Sequence, residues 1–211
     1  MTNSIKRGMI LGFIGIVCFS LTLPATSIAV PYFGEVIVGL GRTVIAAIIV
    51  GAIFMMKRQS LPNKSQFKSL LIVTIGAVLA FPLLTTFAMK SLPVSHGAIE
   101  LALLPLATAG FAMWRGGELP SKRYWIASII GAITVIIYAI FVGLGQLQKG
   151  DLALIAAVIV LGLSYAEGGK LSKELGSWQV IAWAILIGAP FFIIPVGLSI
   201  SASMLQAPVE A

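Results

Sequence analysis

Apolar residues run in blocks of about twenty, and the breaks between blocks are short and polar. Seven blocks stand out: Met9–Val30, Val36–Met56, Leu70–Met89, Val94–Trp114, Tyr124–Val142, Leu152–Leu171 and Trp178–Ile200. An α-helix rises about 1.5 Å per residue, so roughly 20 apolar residues match the hydrocarbon core of a bilayer. The pattern predicts an all-α membrane protein, a polytopic bundle of seven transmembrane helices. The connections are so short that neighbouring helices must pack antiparallel, and they leave no room for a soluble domain.

Composition supports that class. Of 211 residues, 59% are hydrophobic and 10% charged, and the mean hydropathy is +1.06. A soluble domain carries roughly 25% charged residues. The net charge of +7 therefore speaks to topology rather than to nucleic acid, and no nucleic-acid partner is expected. With the N-terminus inside, the inner segments hold Lys6, Arg7, Lys57, Arg58, Lys64, Lys68, Arg115, Lys122, Arg123, Lys170 and Lys173. That is 11 of the 14 Lys and Arg, and only Arg42, Lys90 and Lys149 fall outside. This asymmetry predicts a cytoplasmic N-terminus. Trp114, Tyr124, Trp125 and Trp178 fall at inner helix ends and Tyr32 at an outer one, as interfacial anchors do. The first block is too long for a signal-peptide core of roughly 7–15 residues and reads as the first span. Cys18, the single cysteine, excludes an intrachain disulfide.

The most polar part of the apolar sequence is Ala77 to Glu118, read as two spans joined by the tight turn Ser91-Leu92-Pro93. Ser95 is expected to cap the second of them. His96 and Glu100 are four apart and share a helix face. A charged group in hydrocarbon costs roughly 2.5–3.5 kcal/mol on insertion scales, so Glu100 is expected to be paired or in use. At similar depth lie Thr22, Pro24, Thr26 and Ser27 on the first span, Arg42 on the second, and Pro82, Thr85 and Thr86 on the third. Pro24 removes a helical hydrogen bond and should kink its helix. Together these groups predict a polar cavity in the outer half of the bundle. Arg42, Glu100, His96, Thr22, Pro24, Pro82 and Thr85 are the candidate solute-pathway residues. Arg42 and Glu100 are expected to pair, with His96 tuning them. The blander alternatives are that Arg42 snorkels to the headgroups, His96 is an interfacial histidine, Glu100 has a purely structural partner and Lys90 is an anchor.

Other motifs are less informative. Glu167-Gly168-Gly169-Lys170 has Ser164 and Leu171 where a phosphate loop needs Gly and Ser or Thr. It reads instead as an ion pair between Glu167 and Lys170, three residues apart. The segment from Gly116 to Ser121 reads as a turn, with Ser121 as the next helix cap. Gly12, Gly15, Ala47, Gly51, Gly76, Gly131 and Gly188 are expected at helix contacts. Ala47 with Gly51 and Ala127 with Gly131 have small-xxx-small spacing, the second as a homodimer face. There is no zinc-ligand cluster, catalytic triad or dinucleotide fingerprint, so no enzyme activity, metal or cofactor is expected.

The stretches FSLTLPATSIAV (19–30), GLGRTVIAA (39–47), FPLLTTFAMKSLPVSHGAIELALLPLATA (81–109), GGELPSKRYWIASIIGA (116–132), GDLALIAA (150–157) and SYAEGGKLSKELGSWQVIAWAI (164–185) resemble the EamA-like branch of the drug/metabolite transporter superfamily. The tight hairpin, Pro105 within the fourth span and Gly117-Glu118 before the fifth are its most specific marks. The resemblance implies ten helices in two five-helix repeats of opposite orientation. It implies a carrier of small metabolites, such as amino acids or drug-like compounds, working by alternating access across the cytoplasmic membrane. Residues 1–145 would be the first repeat and 150–211 the start of the second. By that count the last three helices are missing. The competing expectation is a truncated, non-transporting protein, or a subunit that needs another copy or partner to complete the bundle. The partners implied are the lipid bilayer and a small-molecule solute. A seven-helix receptor is disfavoured by the short loops, the inside N-terminus and the lack of an outer disulfide.

Overall fold

A computed structural model describes residues 3–57, 59–116, 120–142 and 148–206. Every element among them is helical: α1 (Asn3–Ser20), α2 (Thr22–Lys57), α3 (Lys64–Val73), a π-helical segment (Thr74–Ala80), α4 (Phe81–Met89), α5 (Val94–Leu101), α6 (Leu104–Gly116), α7 (Lys122–Val142), α8 (Lys149–Leu175) and α9 (Ser177–Gln206). Among the described residues, five stretches are long and apolar enough to cross a membrane: Lys6–Lys57, Lys64–Met89, Val94–Arg115, Lys149–Leu175 and Ser177–Ser201.

Proline and glycine explain where the helices break. Pro24 has no N–H to give the carbonyl of Ser20, and the helix parts at Leu21, between α1 and α2. Within α2, Gly34 takes φ 75° and ψ 168°, a conformation that favours glycine. The chain turns back there. Phe19 and Thr22 from before the bend share one cavity with Arg42 and Ala46 from after it. In a straight helix Thr22 and Ala46 would be about 36 Å apart.

The next span is continuous but not uniform. Asn63 and Gln66 cap its start reciprocally, each side chain accepting from the other's backbone N–H. From Thr74 to Ala80 the turns widen, and the Phe81 N–H reaches back five residues to the Gly76 carbonyl. Pro82 follows at once, so the wide turn lies where the proline ring would crowd an α-helix. A side chain on Gly76 would overlap Ser164 and the Val160 carbonyl of α8. Gly39 likewise lets α2 lie against Pro82 and Thr86.

The tight hairpin is present, with the Leu92 N–H bonded to the Ala88 carbonyl at 2.9 Å. Its cap differs from the expected one. Pro93, with φ −61° and ψ 147°, precedes the first helical residue and no side chain caps the turn. Ser95 is already helical, so it is not the cap. A second break at Ala102 and Leu103 separates α5 from α6, just ahead of Pro105, which has no N–H for the Leu101 carbonyl. Ser121 does cap α7, accepting the Tyr124 N–H at 3.3 Å.

Helix α8 shares the centre of the bundle with the Lys64–Met89 span. Its residues enter all three buried apolar clusters: Leu171 beside Leu70 and Phe192, Leu154 beside Leu23 and Met89, Leu161 beside Phe81 and Leu104. In its most apolar stretch 50% of residues are buried, the same share as in Lys64–Met89, against 22% in Lys6–Lys57 and 17% in Val94–Arg115. The apolar side chains of α1, such as Met9, Phe13 and Ile16, point outward, as they would into lipid. Gly12, Gly15 and Gly131 meet no neighbouring helix closely, whereas Gly76 and Gly188 are pressed against theirs.

Candidate functional site

Two of the helix interruptions border the same space. A cavity of about 340 Å³ is lined by Phe19 and Thr22 flanking the Leu21 break, and by Ala77, Val78, Phe81 and Pro82 at the π segment. Arg42, Thr43 and Ala46 close it from α2, Leu161 and Tyr165 from α8, and Ile181 and Ile185 from α9. Phe19 and Phe81 stack there, ring centres 5.9 Å apart. A larger, almost wholly apolar cavity of about 610 Å³ adjoins it, sharing Phe19 and Tyr165 and reaching Gly12, Pro105 and Tyr124.

Several hydroxyls at this depth are already committed to their own helices. Thr85 donates to the Phe81 carbonyl at 2.8 Å and the Pro82 carbonyl at 3.0 Å. Thr86 donates to Pro82 at 2.9 Å, and Thr43 to Leu40. Such back-bonding leaves no donor for a solute. Arg42 is exposed toward the cavity and has no hydrogen-bond or ion-pair partner among the described residues.

Ionisable groups gather at both ends of α8. At the hairpin end His96 Nδ1 is 3.3 Å from Asp151 Oδ1. Asp151 Oδ2 accepts the Gln148 backbone N–H at 2.7 Å, and Asp151 is 4% exposed. Glu100 faces Asp151 from α5, yet its Oε2 is buried without a partner. Glu100 borders a separate cavity of about 290 Å³ between α5–α6 and α8. Nearby, Lys90 bridges to Glu35 at 2.7 Å, tying the hairpin to the Gly34 bend. At the opposite end Glu167, 3% exposed, accepts Ser69 Oγ at 2.6 Å and Arg115 Nε at 3.2 Å. Phe54, Trp178 and Trp183 form an aromatic group there, with Lys57 Nζ 5.4 Å from the Trp178 ring centre.

Comparison with known proteins decides the family. The EamA-like transporter family matches residues 6–140. A Bacillus subtilis (strain 168) protein, "Uncharacterized transporter YdeK", is 42% identical over 191 residues, covering 90% of this chain and 67% of that protein. No solved structure gives a significant match. The chain belongs to the EamA-like transporter family. It is a multi-pass membrane protein of a transporter family, in contact with the bilayer and with the small-molecule solutes that a transporter handles.

In this EamA-like protein the expected pathway residues divide between two places. Thr22, Arg42 and Pro82 line one cavity. Pro24 lies beside it at the helix break, and its carbonyl accepts Ser27 Oγ at 2.9 Å. Thr85 is buried against its own backbone. His96 and Glu100 belong to the α8 cluster instead, so the expected pairing of Arg42 with Glu100 is not formed. Nor is the pairing of Glu167 with Lys170. Glu167 turns inward to Arg115 and Ser69, while Lys170, three residues on, is exposed. The residues that sequence reasoning missed are Asp151 and Tyr165, and Glu167 was given the wrong partner. The available signal was two acidic residues bounding a single apolar block, sixteen apart. The turn at 117–119 lies outside the described residues.

Proposed function

We propose that this protein carries small solutes across a bacterial-type inner membrane by alternating access, with the N-terminus cytoplasmic and the solute held in the Arg42 cavity. The observation that carries this is the meeting of two broken helices at that cavity: the Leu21 break and the π segment before Pro82. Secondary transporters bind solutes where discontinuous helices release backbone groups near the midplane. Irregular backbone at membrane depth is tolerated where it is packed in protein or lines a cavity. On this reading the bend at Gly34 divides the first long stretch into two crossings, and α7 adds another, which makes seven. Residues 1–145 form a first five-helix repeat, and 150–211 begin an inverted second one.

The test is solute flux into proteoliposomes containing the purified protein, with Arg42→Gln and Pro82→Ala as variants. Both should keep the helical fold and lose most of the flux. Full flux in both folded variants would remove the cavity from the pathway. A second reading, a bundle completed by another copy, draws on Gly12, Gly15 and Gly131, which meet no neighbour closely within the chain. Cross-linking in nanodiscs that hold one or two copies separates the two readings.

A further inference from the structure

The unpaired polar groups of the Arg42 cavity share one chemistry. Among the described residues, the Arg42 guanidinium and the Thr22 and Tyr165 hydroxyls line it without a protein partner. The Thr43 hydroxyl is spent on Leu40, and the Pro82 carbonyl already accepts Thr85 and Thr86. No carboxylate lines this space. Glu100 and Asp151 are engaged at the hairpin end of α8, and Glu35 is taken by Lys90. Guanidinium has donors only and is always charged. A positive charge within an apolar span is costly unless something answers it. The rest of the wall is apolar and aromatic: Phe19, Phe81, Val78, Leu161, Ile181 and Ile185.

We propose that this cavity is a binding site for a small organic anion, a carboxylate on an apolar body. Arg42 holds the carboxylate in a two-pronged contact, Tyr165 and Thr22 donate to it, and the Phe19–Phe81 stack receives the apolar part. The volume of about 340 Å³ is at the small end of ligand pockets, which fits one compact solute. This assignment names the solute class for the carrier reading above and rests on it. A neutral solute of the same shape leaves the Arg42 charge unanswered and is discriminated against. Guanidinium also binds a phosphate, so the headgroup of an anionic lipid offers the same chemistry from another source.

The experiment uses the whole chain in phosphatidylcholine nanodiscs and reads thermal unfolding against rising phenylacetate, with phenylacetamide as the uncharged match. Phenylacetate should raise the unfolding temperature in a saturable way and phenylacetamide should not. Arg42→Gln should weaken phenylacetate binding about tenfold or more, as loss of a hydrogen bond to a charged group does. Arg42→Lys keeps the charge without the fork and should weaken it less, and Tyr165→Phe should weaken it by about threefold. Equal shifts for acid and amide, or full phenylacetate binding in Arg42→Gln, would overturn the assignment. So would a shift produced by adding phosphatidylglycerol but not by phenylacetate, since Arg42 is then a lipid contact. Phenylacetate flux into proteoliposomes keeps the two proposals apart. Binding without flux sinks the carrier reading and leaves the site, whereas flux of another solute without phenylacetate binding does the reverse.

Discussion

The two ends of α8 both fasten the α5–α6 span through a buried acid, but the fastenings are unlike. Asp151 takes His96, and Glu167 takes Arg115. Early residue meets early and late meets late, so the two spans run parallel. The acids are sixteen positions apart, about 24 Å along the helix, close to the depth of the hydrocarbon core. At the Arg115 end each carboxylate oxygen has its own donor, Ser69 for one and the guanidinium for the other. At the hairpin end Asp151 is equally well satisfied, yet a second carboxyl group, Glu100, is set against it with one oxygen buried and unpartnered. A saturated charge pair resists opening. The hairpin end instead sets a second acid beside the first, while Leu92 and Leu154 pack the hairpin against α8. The Arg115 end is fully paired, and the hairpin end carries an acid with one oxygen unanswered.

Substitutions can break or sharpen that contrast. The largest effect is expected from Arg115→Gln, which strands Glu167 with Ser69 alone. Arg115 is itself about 40% exposed, but it answers a buried carboxylate, and stranding such a group costs about 1–3 kcal/mol, readable as a lower unfolding midpoint in nanodiscs. His96→Ala should cost less, about 1 kcal/mol, because Asp151 keeps the Gln148 N–H. Equal losses in the two variants would erase the distinction between the ends. Glu100→Gln is the smallest and sharpest case, because its sign is reversed. The new amide N–H₂ donates to Asp151 where two carboxyl groups now meet, so stability should rise by about 0.5–1 kcal/mol. A fall of that size would mean that the Glu100 carboxylate has a partner of its own.

The extent to which sequence predicted these features follows from what each prediction required. Helices needed only runs of apolar residues, and the break ahead of Pro24 needed only a proline, which acts on the carbonyl four positions back. The Ser121 cap needed a hydroxyl ahead of a block. The cavity needed depth alone, and depth can be counted at a fixed rise per residue. Pairings also need the direction in which a side chain points around its helix, and that depends on packing. Arg42 and Glu100 share a depth, but Arg42 faces the space between α2, α8 and α9, whereas Glu100 faces the start of α8. Asp151 stands just ahead of the apolar block that begins at Leu152. Only the fold brings it to His96, 55 positions earlier. Ser95 failed as a cap because Pro93 fixes the start of the helix, which a count of apolar residues does not register.

The wide turns from Thr74 to Ala80 act as a phase shifter. They let one continuous span address different neighbours with its two halves. At the start of the shift Thr74 reaches the Ala184 carbonyl of α9 at 3.0 Å, and after it Pro82 and Thr86 meet Gly39 of α2. Each residue of an α-helix advances the facing direction by about 100°. Excising a single residue from this segment would therefore leave both halves helical and apolar but turn one relative to the other by roughly that angle. Pro82 and Thr86 would swing away from Gly39, and the Arg42 cavity would lose a wall although every residue lining it was still in the sequence.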